Sequence, residues 1–223
     1  MARVIVVGSI NQDVTVTVDR FPTPGETLSG SSLTYGLGGK GANQAAAAAR
    51  SGIPTLFVGA VGTDLAGHSL RTHLAAHGVD VSHLREVDSP SGTALITVAA
   101  SGENTIILDA GANRASSIAH AKASLFPTPS DIVVLQAEIP PAANAAAIEW
   151  AHSFGARVLL NLAPARATDP ATLSRVDILV VNETEAGLTL GMPAPATPTE
   201  AIGVARALRG MGPRHVVVTL GAQ

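Results

Sequence analysis

The chain has 223 residues, 46% of them hydrophobic and 14% charged, with a formal net charge of −3 and no cysteine. So apolar a composition excludes a disordered chain, and the missing cysteine excludes a disulfide scaffold and any cysteine-ligated zinc or iron–sulfur site. The slight acidity speaks against a nucleic-acid partner, and the short apolar opening reads as too short for a secretory h-region or a spanning helix. The expectation is a soluble, cytoplasmic protein with neither nucleic acid nor membrane as partner.

In chain order, the first buried strand is expected at residues 4–7. A period-two segment follows at 14–19, then a Pro-Thr-Pro-Gly turn at 22–25. A glycine-rich stretch at 36–41 leads into a helix over 42–50, a strand at 56–58 and a helix over 65–77. Alternation returns at 93–98, turns at 101–104 and continues in the apolar run 106–108. Beyond it come strand 132–135, helix 142–154, strands 158–160 and 178–181, helices 183–190 and 200–208, and strand 216–220. The short apolar runs are continuous, as in a parallel sheet covered on both faces. Their alternation with helices predicts an α/β fold, mostly parallel and flanked by helices. The period-two segments have one dry face and predict a small antiparallel sheet projecting from that body. The last run reads as a central strand, yet the sequence stops three residues after it.

Three clusters carry candidate chemistry. Gly36-Leu37-Gly38-Gly39-Lys40-Gly41-Ala42-Asn43 lets backbone approach a ligand, and the following helix would aim free N–H groups at it. The alternative is a plain glycine turn. No Walker A loop is present, because Gly41 follows Lys40 and Tyr35 stands five residues before it. A G-x-G-x-x-G match exists at 36–41, but not on the turn after the first strand, which disfavours a dinucleotide site. Asn11 and Asp13, after the first strand, point to one side, where a carboxylate can accept from two sugar hydroxyls; an Asx turn is the alternative. Glu138 again follows a strand. Asn182 and Glu185 read as a capping box, as ligands of hydrated Mg²⁺ and phosphate, or as both. His73 and His77 lack the further ligands of a metal site and read as an exposed helix face.

In combination these motifs resemble the PfkB-type carbohydrate kinases, most closely their ribokinase branch. The resemblance rests on residues 8–13, 22–27, 38–44, 161–165, 182–185 and 219–221. It implies a ribokinase-like fold with a β-lid from segments 13–36 and 91–109, and a homodimer through that lid. It implies that Asn11, Asp13, Gly39, Lys40, Asn43 and Glu138 hold the sugar, with Ala94 and Ile96 lining the lid. Asn182 and Glu185 would organise phosphate and Mg²⁺, with Glu185 toward the metal, and Thr219 and Gly221 would begin the ATP site. Ribose or a related pentose and ATP are the implied ligands, with K⁺ expected for a full-length protein. The family's Asp-Thr-x-Gly-Ala-Gly-Asp run, which supplies the general base, is absent. The chain is therefore expected to be truncated at its carboxyl end and inactive by itself, with no catalytic base of its own. A non-catalytic sugar-binding fragment is the alternative expectation.

Overall fold

The computed structural model describes residues 2–166 and 168–221. Its centre is strand β1 (Val4–Val7), which sends Ile5 and Val7 into one hydrophobic core and Val6 into another. That two-sided burial is why the run is continuous rather than alternating. Around β1 lie β4 (Thr55–Gly62), β5 (Asp80–Val87), β8 (Ile132–Gln136), β9 (Arg157–Asn161), β10 (Ile178–Asn182) and β11 (His215–Thr219). They form a parallel seven-stranded sheet in the order β11-β10-β9-β8-β1-β4-β5.

Helices α1 (Lys40–Arg50) and α2 (Leu65–Ala76) close one face, where Ala42, Ala45, Leu70 and Leu74 pack with Val6, Phe57 and Val61. The larger core gathers α3 (Pro141–Ser153), the single turn α4 (Pro170–Leu173), α5 (Glu183–Leu190) and α6 (Pro198–Gly210). A chain this poor in aromatics fills both cores with Val, Leu, Ile and Ala, so α1 can approach the sheet through alanines alone.

A second sheet holds β2 (Asn11–Val18), β3 (Ser32–Gly38), β6 (Gly92–Ala99) and β7 (Asn104–Asp109), ordered β3-β2-β6-β7. Its two outer pairings are antiparallel, whereas β2 and β6 run parallel in the middle. One of its faces carries a cross-strand row, Tyr35-Val14-Leu95-Ile107, in which Tyr35 and Ile107 are 65% and 71% exposed. A 3₁₀ turn (Gly111–Ala115) leads from β7 back to the body.

One strand, β5, has no counterpart among the sequence expectations, and β3 is expected only as part of the lid segment 13–36. β3 contains two glycines, which have low strand propensity, and β5 is an edge strand of mixed polarity with Asp80, Ser82, His83, Arg85 and Glu86. β11 lies at the sheet's edge, with Val216 and Val218 against the core and Val217 46% exposed.

Candidate functional site

The parallel strands all end on one side, and their ends carry the polar residues. β8 ends at Gln136, β9 at Asn161 and β10 at Asn182, and β11 ends at Thr219 in register with Asn182. Such a row of carboxyl ends is where open α/β sheets bind ligands.

The cradle is built where β1 turns into β2 and where β3 meets α1. Gly39 caps α1 with φ of +90°, a conformation that disfavours residues with a Cβ. A Cβ there would also stand 2.8 Å from the Ile10 Cα. The tight approach brings the start of α1 onto Ser9. The Lys40 N–H donates to Glu138 Oε2 at 2.9 Å, the Gly41 N–H to Ser9 Oγ at 3.2 Å, and the Ala42 N–H to the Ser9 carbonyl at 2.9 Å. Ser9 Oγ in turn donates to Glu138 Oε2 at 2.7 Å. The sequence expectation of free N–H groups aimed at a ligand is thus corrected. Three of the helix's first donors are taken internally, and Glu138, reaching in from the β8–α3 loop, serves as a cap. A carboxylate is favoured there by the helix dipole. Lys40 Nζ lies 4.0 Å from Glu138 Oε1.

Asp13 stands in contrast. Its carboxylate lies over Gly38, where a Cβ would come within 2.0 Å of Asp13 Oδ1. Among the described residues no protein donor serves it. Burial, and after it the charge of Glu138, push its carboxyl above the ordinary aspartate range. A half-buried carboxylate without donors is a ready acceptor for ligand hydroxyls. Asn11 lies on the same face of β2, two residues before Asp13, and is 3% exposed. Asn43 is exposed on the first turn of α1, on the side of Lys40. On the second sheet, Ala94 is in register with Asp13 and Ile96 with Thr15, so both share the face that carries Asp13.

Beside the cradle is a cleft of about 530 Å³, lined by Lys40, Gln44, Asn161, Asn182, Glu185 and Thr219 among others. Lys40 belongs to both spaces. Asn182 Oδ1 accepts from the Glu185 N–H at 2.7 Å, and Glu185 Oε2 accepts from the Asn182 N–H at 2.9 Å. This is a complete capping box at the mouth of the cleft. Magnesium keeps most of its waters and uses one or two carboxylates beside substrate phosphates. With Oε2 engaged in the cap, Glu185 Oε1 fits a contact of that kind. Gly221 does not line the cleft; it lies beside Glu183, whose Oε1 would be 3.5 Å from an added Cβ. His73 is exposed, and among the described residues no group of three or more His, Asp or Glu side chains could hold a metal.

Some cradle and cleft residues have no role in the sequence reading. Ser9 is the hub of the α1 cap, Asn161 bonds the Val180 carbonyl at 3.2 Å, and Gln44 bonds Asn161 at 3.5 Å. Asn113 reaches the β1–β2 turn across 103 residues. Ser9, Gln44 and Asn161 lie inside the stretches 8–13, 38–44 and 161–165 that carry the resemblance, whereas Asn113 lies outside them.

The pfkB family carbohydrate kinase model matches residues 1–223. A ribokinase of Haemophilus influenzae is 38% identical, covering 98% of this chain and 72% of that protein. A ribokinase of Staphylococcus aureus is also 38% identical, covering 99% and 73%. The structure of an Arabidopsis thaliana ribokinase complexed with ribose and ATP superposes with a TM-score of 0.89 at 33% identity, covering all of this chain and 73% of that one. With the cradle, the polar strand ends and the second sheet in place, the chain belongs to the PfkB family of carbohydrate kinases, phosphotransferases that act on a sugar alcohol group.

Proposed function

We propose that the protein belongs to an ATP-dependent kinase for the primary hydroxyl of ribose, yielding ribose 5-phosphate. The observation that carries this reading is the position of Lys40. It is paired with Glu138 at the cradle and also lines the cleft that holds Asn182, Glu185 and Thr219. A positive charge at that junction lies where a phosphoryl group would pass from nucleotide to sugar, and phosphoryl transfer depends on such charge stabilisation and on positioning. The sugar oxygen would attack the γ-phosphorus as the bond to ADP breaks.

Asn11, Asp13, Gly39, Lys40, Asn43 and Glu138 are assigned to the sugar, with Ala94 and Ile96 above it. Asn182, Glu185, Thr219 and Gly221 are assigned to the nucleotide and its phosphates. Mg²⁺, when bound, neutralises phosphate charge, and Glu185 Oε1 would meet it through water. The hydroxyl proton requires a base, and the 223 residues contain no Gly-Ala-Gly-Asp run to supply it. Binding without turnover is therefore the activity proposed for this chain alone, which also keeps the sugar-binding module as the second reading.

Calorimetry with ribose and a coupled ATPase assay test both. Ribose binding with no turnover is the expected result. Turnover at roughly 1–100 s⁻¹, the ordinary kinase range, would overturn the missing-base argument. Absence of ribose binding would overturn the sugar assignment. Turnover gained on extending the chain to a Gly-Ala-Gly-Asp run separates the kinase from a mere binding module.

The exposed row Tyr35-Val14-Leu95-Ile107 supports a homodimer through the lid, since a second copy presents a matching apolar face. Leu95→Arg is expected to leave a monomer in sedimentation equilibrium. Cytoplasmic residence remains part of the proposal; among the described residues no helix is long and apolar enough to cross a membrane.

A further inference from the structure

Asn113 is 1% exposed and lies in the 3₁₀ turn that follows β7. Its side chain makes three buried hydrogen bonds, to Ile10 and to Asn11, where β1 turns into β2. The Ile10 N–H donates to Asn113 Oδ1 at 2.9 Å. Asn113 Nδ2 donates to the Ile10 carbonyl at 3.1 Å and to Asn11 Oδ1 at 2.7 Å.

Amide oxygens and nitrogens are told apart by their partners. A backbone N–H can only donate and a carbonyl can only accept, so the two contacts with Ile10 leave Asn113 one orientation. Its Nδ2 is then a donor aimed at Asn11, and the atom it meets must be the Asn11 oxygen. Asn11 is left with Nδ2 as its outward group. That nitrogen meets no protein acceptor among the described residues, yet it is not one of their sealed, unpaired polar atoms. Gly92 keeps the space for this contact, because a Cβ there would lie 2.2 Å from Asn113 Nδ2 and 2.3 Å from Asn11 Oδ1.

We infer that Asn113 is a positioning residue that fixes the polarity of the sugar cradle. Through it, Asn11 offers a donor and Asp13, on the same strand face, offers an acceptor. Such a pair reads two sugar hydroxyls in opposite senses, one accepting from Asn11 and one donating to Asp13. The inference rests on the carbohydrate reading for its ligand, but the amide orientation stands apart from it.

The variant Asn113→Asp keeps the acceptor for the Ile10 N–H and loses the donor. Asn11 is then driven to turn its Nδ2 toward the introduced carboxylate and its oxygen toward the cradle. Asn11→Asp presents an acceptor to the cradle while leaving Asn113 intact, so it serves where Asn113→Asp folds poorly. In the 223-residue protein we expect the side-chain NH₂ protons of Asn113 to be protected from exchange by NMR. Those of Asn11 should exchange fast until ribose is added. Both variants are expected to weaken ribose binding by about tenfold or more, the loss of one hydrogen bond with its partner left unpaired. Both should also narrow the gap between ribose and the deoxypentose lacking the hydroxyl opposite Asn11, which a merely structural defect would not do.

Protected Asn11 protons in the free protein, or ribose binding by both variants as tight as in the parent, would overturn the inference. A parent protein with the expected exchange pattern but no affinity for ribose would instead overturn the carbohydrate reading and leave the amide orientation standing.

Discussion

Two carboxylates, one at each end of the parallel sheet, are treated in opposite ways. At the amino end, Asp131 is completely buried and saturated. It accepts from the Arg3 N–H at 2.8 Å, from Arg3 Nη2 at 2.7 Å and from the Thr128 N–H at 2.8 Å. Burial raises its carboxyl pKa, but these donors and the Arg3 charge outweigh it and hold the carboxyl below the usual range. At the carboxyl end, Asp13 has no protein donor and is pushed up. Asp131 is satisfied by the protein itself; Asp13 keeps unused acceptor capacity, and leaving it so costs stability.

The largest expected effect removes the satisfied carboxylate. Asp131→Ala should destabilise by about 3 kcal/mol, the lower end for breaking a buried pair because Arg3 keeps water access. Chemical denaturation reads this directly. The pH dependence has a definite sign. The stability from Asp131 is present above the unfolded carboxyl pKa and lost as pH falls through its lower folded value.

Next comes the glycine that shapes the cradle. Gly39→Ala should cost about 1–3 kcal/mol for the strained backbone and push Ile10 away from α1. Both the thermal midpoint and ribose affinity should fall.

Asp13→Asn sharpens the contrast, because its two effects run in opposite directions. Ribose affinity should drop roughly 10- to 150-fold, matching about 1.5–3 kcal/mol for a charged hydrogen bond. The sugar-free protein should become more stable at neutral pH. With its folded pKa raised, Asp13 favours the folded state below the unfolded pKa, and that contribution is lost as pH rises through the folded value. A neutral amide removes the penalty. A lower melting temperature for Asp13→Asn at pH 7 would contradict this account of Asp13.

The smallest effect concerns the cleft. Asn182→Ala removes one half of a capping box and should cost about 1 kcal/mol. If nucleotide affinity also falls, Asn182 serves the ligand as well as the helix. If only the melting temperature moves, it is a cap alone.

Much of the site was legible because its parts are local. Gly36 to Asn43 and Gly8 to Asp13 are short runs whose composition announces a turn, and Asn182 with Glu185 is a cap recognisable from spacing alone. What escaped notice joins distant segments. Glu138 is legible as an acid at a strand's end, but its use as the α1 cap depends on Ser9 and Lys40, 129 and 98 residues away. Asn113 sits in a turn 103 residues from Ile10, and nothing local marks that contact.

The chain's own pattern determined the α/β class, because a strand dry on both faces must be apolar throughout and a helix must show its period. It also determined the helix starts and the glycine turn, since those depend on neighbours within a few residues. Tertiary structure alone decided the parallel β2–β6 pairing and strand β5, because sheet order has no local period. It alone decided which polar groups are satisfied and which are left open. Hydrogen-bond partners a hundred residues apart are chosen by packing, and that choice makes Asp131 a structural anchor and leaves Asp13 without a protein donor.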